Sequence, residues 1–330
     1  MKKMSIEKQE RLKRLTDRSG VINALAIDQR GALKKMIDQY KEVTSEDIIK
    51  FKQLVSQYLT PYASAILLDP EYGLPAAELR EKECGLLLAY EKTDYDTKIP
   101  GRLPDLLNSW SVKRLKEAGA DACKFLLYYD VDETIEINVQ KQIFIERIGS
   151  ECEAEGIPFF LEILSYDATI VDPSSLDYAK VKPHKVIEGM REFSKERYQV
   201  DVLKVEVPVN MKFVEGYGQV ACYSQAEAST YFYEQSKVTE LPFIFLSAGV
   251  STVLFQETLR FAKQSGSTFN GVLCGRATWA KGVAPFVTEG EKGASIWMLE
   301  EGKRKSKELG TLLEGTATSI YIMICQIKLE

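Results

Sequence analysis

Eight short apolar runs, with helical material between most of them, constrain this 330-residue chain more than any other feature of its sequence. They are VINALAID from 21, ASAILLD from 63, CGLLLAYE from 84, DACKFLLYYD from 121, IPFFLEIL from 157, VDVLKVEV from 200, LPFIFLSAG from 241 and FNGVLCGRA from 269. Near-continuous hydrophobicity is the mark of parallel strands covered on both faces. Helical periodicity fills the intervening segments SEDIIKFKQLVSQYL, DLLNSWSVKRLKEAG, EINVQKQIFIERIGSECEAEG, SQAEASTYFYEQSKV and TVLFQETLRFAKQSG. Alternation of this kind predicts an α/β fold, and eight strands close a (β/α)8 barrel. An open doubly wound sheet is the structural alternative, but no GxGxxG follows the first run.

Glycine and proline mark the expected helix-to-strand joins at EAGA (117–120), EGIP (155–158) and QSGS (264–267). The connection from 165 to 199, with Asp172, Pro173 and Pro183, reads as a long loop plus a helix, and His184 in KVKPHKV reads as a loop residue. The expected organisation is one barrel domain over 1–330, with an amphipathic N-terminal helix in 1–19, the barrel over about 20–285 and a C-terminal helical region over 286–330. A barrel of this length lies within the usual range.

Composition removes several function classes. A net charge of −5, with lysine and arginine scattered among carboxylates, leaves no extended basic face for nucleic acid. Six cysteines lie far apart without CxxC spacing, which predicts reduced thiols and a cytoplasmic setting. The opening MKKMSIEKQERLKRLTDR lacks the apolar core of a signal peptide, and no segment approaches the ~18 apolar residues a membrane span needs. With one histidine a His-ligated zinc site lacks its ligands, and a His-based triad has only His184, in hydrophilic KVKPHKV, with no GxSxG nucleophile motif in the chain.

In such a barrel, chemistry belongs at the carboxyl ends of the strands. Those positions are polar here: Asp28, Asp69, Glu91, Glu162, Lys204 with Glu206, Ser247, and Arg276 after Gly275, with Lys124 in mid strand. Asp69 before Pro70 also reads as a turn residue, and Glu91 beside Lys92 as a solvated strand end. Strand alternation puts Leu203, Val205 and Val207 on one face and Val202, Lys204 and Glu206 on the other. A buried, isolated ammonium is costly, so Lys204 must pair, lose its proton or serve chemistry. Lysine titrates near ~10.4, and a nucleophilic one must fall to roughly 7 to 8, which a second amine such as Lys124 and a dry wall would promote. A structural ion pair of Lys204 with Glu162 is the opposing reading and would act the other way. Glu162, after two phenylalanines, is in a setting that raises a carboxyl pKa. The small residues of SAGVS and CGRATW, after the seventh and eighth runs, suit a phosphate. The residues thus point to amine catalysis on a phosphorylated carbonyl compound and do not name the sugar.

The blocks ALAIDQRGALK, SAILLDPEYG, GLLLAYEKT, KFLLYYDVD, IERIGSECEAEGIPFFLEIL, DVLKVEVPVNM, LSAGVS and GVLCGRATWA, in order from about 20 to about 300, resemble the tagatose-1,6-bisphosphate aldolases of the LacD family. The resemblance implies a class I aldolase that needs no metal or other cofactor, acts in lactose and galactose breakdown, and is loose about stereochemistry at C4. It places the Schiff-base lysine at Lys204, the acid/base carboxylate at Glu162, and Lys124 and Asp28 around the reacting carbons. Gln29 and Arg30 would contact substrate, and Ser247, Gly249, Gly275 and Arg276 would hold one phosphate. The implied partners are a sugar bisphosphate and triose phosphates, with a homodimer as the expected assembly and neither nucleic acid nor membrane involved. The tail TSIYIMICQIKLE is more apolar than that family's ending, and packing on the barrel or a subunit contact would accommodate it. Two other readings stay open: a magnesium-dependent barrel with Asp28, Asp69, Glu91 and Glu162 as ligands, and a metabolite-binding regulator on the same scaffold.

Overall fold

The computed structural model describes residues 4–92 and 99–321. Each predicted apolar run contains a strand: β1 (Ile22–Ala26), β2 (Ala65–Leu68), β3 (Gly85–Ala89), β4 (Ala122–Tyr129), β5 (Phe159–Ser165), β6 (Val202–Val205), β7 (Phe243–Leu246) and β8 (Gly271–Cys274). All pair in parallel in chain order, and β8 pairs back onto β1, so the sheet closes. The helix α1 (Ile6–Arg14) precedes the barrel. Between the strands come α2 (Gly31–Asp38), α3 (Ser45–Leu59), α4 (Leu74–Ala77), α5 (Val112–Glu117), α6 (Ile135–Glu155), α7 (Leu176–Phe193), α8 (Gln225–Lys237) and α9 (Thr252–Gln264). After β8 come α10 (Arg276–Trp279), α11 (Val283–Trp297) and α12 (Lys303–Thr316).

Alternation of side chains sorts the core into two shells. Leu25, Ile66, Leu86, Leu161 and Leu203 face outward to the helices, while Ala24, Ala65, Leu87, Phe160 and Val202 fill the barrel interior. Helix α3 shows how the outer shell forms. Thr44 caps it, its hydroxyl accepting from the Asp47 amide at 3.2 Å while Asp47 accepts from the Thr44 amide at 3.0 Å. Phe51, Val55 and Leu59 recur at four-residue intervals and are fully buried, each worth about 1.5–3 kcal/mol by apolar burial. Lys52 on the same helix is buried too, and its ammonium donates to the Ile27 carbonyl at 2.8 Å and pairs with Asp69. The barrel closes where β8 meets β1. Gly271 has φ 140°, and a Cβ there would lie 1.9 Å from the Ile22 carbonyl oxygen, so only glycine fits that approach.

The amino-terminal end of the barrel is covered by α1 and by the segment after α12. Leu12, Leu15 and Ile320 join the interior cluster, and Lys8 reaches Asp201 at 2.7 Å and Glu153 at 2.9 Å. The Ile320 amide donates to the Gly20 carbonyl at 2.9 Å. The start of the apolar tail therefore packs on the barrel, while its remainder, 322–330, lies outside the described residues, as does Cys325. Two local expectations need correction. His184 lies in α7, not in a loop; Pro183 forgoes its own bond to a preceding carbonyl, but buried Tyr178, Val186, Met190 and Phe193 hold the helix on the sheet. The helical pattern from Asp105 materialises only over α5, because Ser111 caps it, accepting from the Arg114 amide at 3.2 Å.

Candidate active site

Strand register sets the depth of each charged side chain. Glu162 on β5 stands level with Lys204 on β6, whereas Lys124 on β4 stands level with Phe160, one inward position deeper. Glu162 and Lys204 accordingly line a cavity of about 740 Å³ at the carboxyl ends of the strands. Lys124 is fully buried and is not among its lining residues.

The two amines do not face each other across an open pocket, because Glu162 bridges them. Its Oε1 is 2.8 Å from Lys204 Nζ and its Oε2 is 2.7 Å from Lys124 Nζ. Lys124 also contacts Asp28 at 3.0 Å and Glu91 at 2.5 Å. Burial opposes the ammonium form of Lys124, but three carboxylates outweigh it and hold its pKa well above the usual lysine value. The ion pair left open by the sequence is therefore present, and Lys124 is firmly cationic. Burial pushes Glu162 up, as its phenylalanine neighbours suggested, yet Lys124 and Lys204 reverse the sign and leave it lowered. Asp28 is likewise raised by burial and lowered further by Lys124 and Lys204, to about 2. Both carboxyls are carboxylates at neutral pH.

Glu91 is not a solvated strand end. It is buried, and its second oxygen accepts from the Leu126 amide at 3.2 Å. Asp69 stays out of the cluster, accepting from the Glu71 and Tyr72 amides at 3.1 and 2.8 Å as a turn residue does and pairing with Lys52. The four-carboxylate magnesium set is thus not assembled: Asp69 is elsewhere, and Asp28, Glu91 and Glu162 converge on an ammonium. Among the described residues, no group of three or more His, Cys, Asp or Glu side chains is arranged to hold a metal ion.

On the adjoining wall, Ser247, Gly249, Gly275 and Arg276 line the same cavity from the ends of β7 and β8. Gly249 has φ 74°, and a Cβ there would sit 3.3 Å from the Arg276 guanidinium, so glycine keeps that approach open. Gln29 and Arg30 also line it. Arg30 is held by Glu71 and by the Glu91 carbonyl at 2.7 Å. Two buried acceptors beside the cavity, Asp28 Oδ1 and Gln29 Oε1, have no hydrogen-bond partner among the described residues.

A family model described as DeoC/LacD family aldolase matches residues 22–281. The chain belongs to this aldolase family. It is 66% identical over 321 residues to tagatose 1,6-diphosphate aldolase 1 of Enterococcus faecalis, covering 97% of this chain and 99% of that one. It is 59% identical over 316 residues to tagatose 1,6-diphosphate aldolase 1 of Streptococcus mutans, covering 95% and 97%. Among solved structures, a fructose-bisphosphate aldolase from Plasmodium falciparum matches with a TM-score of 0.70 at 19% identity, over 96% of this chain and 98% of that one. A Schiff-base-forming fructose-1,6-bisphosphate aldolase matches at 0.58 and 15% identity, over 92% and 98%. Both speak for the barrel fold.

In this aldolase, of the ten residues to which the resemblance gives site roles, nine line one cavity and Lys124 lies beneath it. Sequence reasoning missed Glu91 as a partner of Lys124, although its spacing of two from inward Ala89 was a usable signal. It also missed Arg102 and Tyr166, which line the cavity from loops and carry no periodicity.

Proposed function

We propose that the chain cleaves D-tagatose 1,6-bisphosphate reversibly to dihydroxyacetone phosphate and D-glyceraldehyde 3-phosphate through an imine on Lys204. The observation that carries this reading is the placement of the Lys204 amine on the cavity wall, 2.8 Å from a carboxylate that a deeper cation keeps ionised. High identity to proteins named for this activity supports the substrate.

Lys204 passes a proton to Glu162, 2.8 Å away, and adds as the free amine to the C2 carbonyl; Glu162 returns that proton to the carbinolamine hydroxyl, which leaves as water and gives a protonated imine, an electron sink for the C3–C4 bond. Glu162 takes the C4 hydroxyl proton as that bond breaks, releasing glyceraldehyde 3-phosphate and leaving an enamine. Glu162 gives that proton to C3, and return of the water releases dihydroxyacetone phosphate and restores the Lys204 ammonium beside the Glu162 carboxylate. Asp28 and Gln29 offer free acceptors to substrate hydroxyls, and Arg30 frames the same wall. Lys124 acts through Asp28 and Glu162, keeping both charged and fixed. Ser247, Gly249, Gly275 and Arg276 hold the phosphate next to C1, far enough from the breaking bond to keep the chain in register. The amine and the carboxylates supply the chemistry without a metal or other cofactor. A cytoplasmic setting goes with this reading, supported by the free thiols of all five described cysteines. Among the described residues no helix is long and apolar enough to cross a membrane.

The test is borohydride reduction in the presence of dihydroxyacetone phosphate, without added metal, followed by peptide mass spectrometry. A reduced adduct on Lys204, absent from Lys204→Ala, is expected. Folded enzyme that yields no adduct would rule out the imine mechanism.

A further inference from the structure

The proposed substrate carries two phosphates, and the cavity has one wall of glycines and arginine at β7 and β8. In a closed eight-stranded barrel, the ends of β4 and β5 lie across from β8 and β1. Arg102 stands at that opposite rim. Its guanidinium carbon lies 4.2 Å from the centre of the Tyr166 ring and 5.5 Å from that of Tyr128, stacked on residues from the ends of β5 and β4. The platform is itself fixed. The Tyr166 hydroxyl donates to Glu133 at 2.8 Å and accepts from the buried Lys141 ammonium at 3.0 Å. The backbone at Arg102 is left-handed, φ 42°, immediately after Gly101 at φ 83°, so the loop accepts strain to present this side chain. Three other cations on the cavity wall are matched by carboxylates, Arg30 by Glu71, Lys92 by Asp105, and Lys182 by Glu206 at 3.1 Å, while Lys212 lines the wall as an exposed lysine.

We infer that Arg102, stacked on Tyr166, is the specificity-determining cation for the phosphate on the aldehyde half of the substrate. The inference rests on the aldolase reading above and assigns the second phosphate, which that reading leaves without a partner. A guanidinium held over a ring face can still turn N–H groups to two phosphate oxygens, the fork geometry that lysine does not offer. The aldehyde half is the part released first and bound last in condensation, so its anchor selects the acceptor aldehyde without touching the imine.

The experiment compares condensation of dihydroxyacetone phosphate with D-glyceraldehyde 3-phosphate and with unphosphorylated D-glyceraldehyde, in wild type, Arg102→Ala, Arg102→Lys and Lys212→Ala. Arg102→Ala is expected to lose roughly 10- to 100-fold in kcat/KM for the phosphorylated aldehyde, the size of a charged hydrogen-bond pair, with little change for glyceraldehyde. Arg102→Lys is expected to recover part of that loss. Borohydride trapping of dihydroxyacetone phosphate on Lys204 is expected to be unchanged in Arg102→Ala, which separates this inference from the imine mechanism itself. Equal losses for both aldehydes would make Arg102 a structural residue, and a phosphate-selective loss in Lys212→Ala with none in Arg102→Ala would move the site to the exposed lysine on the cavity wall. Either result overturns the assignment.

Discussion

Lys124 shows how one residue can govern a site without lining it. Its ammonium is the common partner of Asp28, Glu91 and Glu162, so replacing it by methionine leaves three carboxylates facing one another in a buried space. Breaking such a set by removing one partner typically costs about 3–5 kcal/mol. We expect Lys124→Met to lose stability of that order at pH 7 and to recover part of it at pH 5, as the crowded carboxyls take up protons. Denaturant unfolding at the two pH values measures this. A deficit that stays constant or grows on acidification would mean that the cluster is not held by charge. Strand alternation made it legible that Lys204 faces away from Leu203 and Val205, and the position of Glu162 after two phenylalanines made its burial legible. The direction of the Glu162 shift was not, because it depends on a lysine 38 positions earlier in the chain and only 2.7 Å away in space.

At the scale of elements, α3 is tied to the sheet by an ion pair as well as by its apolar face. Lys52 and Asp69 are both fully buried, and the lysine also holds the Ile27 carbonyl at the end of β1. The pair fixes the helix at the height where β1 and β2 deliver Asp28 and Asp69. Lys52→Met strands the Asp69 carboxylate and should cost about 3–5 kcal/mol, while Lys52→Met with Asp69→Asn, which keeps an acceptor for the Glu71 and Tyr72 amides, should cost less than Lys52→Met alone. A shift in the denaturation midpoint no smaller for the double variant would refute the buried-charge account. All eight strands and α3, α6, α8 and α9 were legible as elements, since each carries its own period and its own punctuation. The helix through Pro183 and the short α5 were read less well, because tertiary packing in one case and a single capping serine in the other decided where helix begins and ends.

For the molecule as a whole, the site makes stability depend on pH with a definite sign. Asp28 is lowered from 3.8 to about 2, and Glu162 is lowered too, so the unfolded chain binds more protons than the folded one in acid. Their contribution is fully present above the unfolded carboxyl range and is lost as pH falls from about 4 toward 2, with Asp28 alone worth about 2 kcal/mol. Lys124, raised above 10.5, contributes stability that is present below that value and lost only as pH rises through its still higher folded pKa. The expected profile is flat through neutrality and falls in acid. Asp28→Asn should flatten the acid limb, and an unaltered slope between pH 4 and pH 2 would show that Asp28 is not the group responsible.

By itself, the sequence determined the number of strands, their parallel alternation with helices, and which side chains along a strand share a face. These are local properties, set by side-chain direction over a few residues. Tertiary structure alone decided the depth of each inward residue and the company it keeps. Closure between β8 and β1, and the stagger that puts Lys124 one step below Glu162, bring side chains from distant parts of the chain within 3 Å of each other. Charge states follow those distances, because Coulomb energies in a dry interior depend on separation in space and not along the chain.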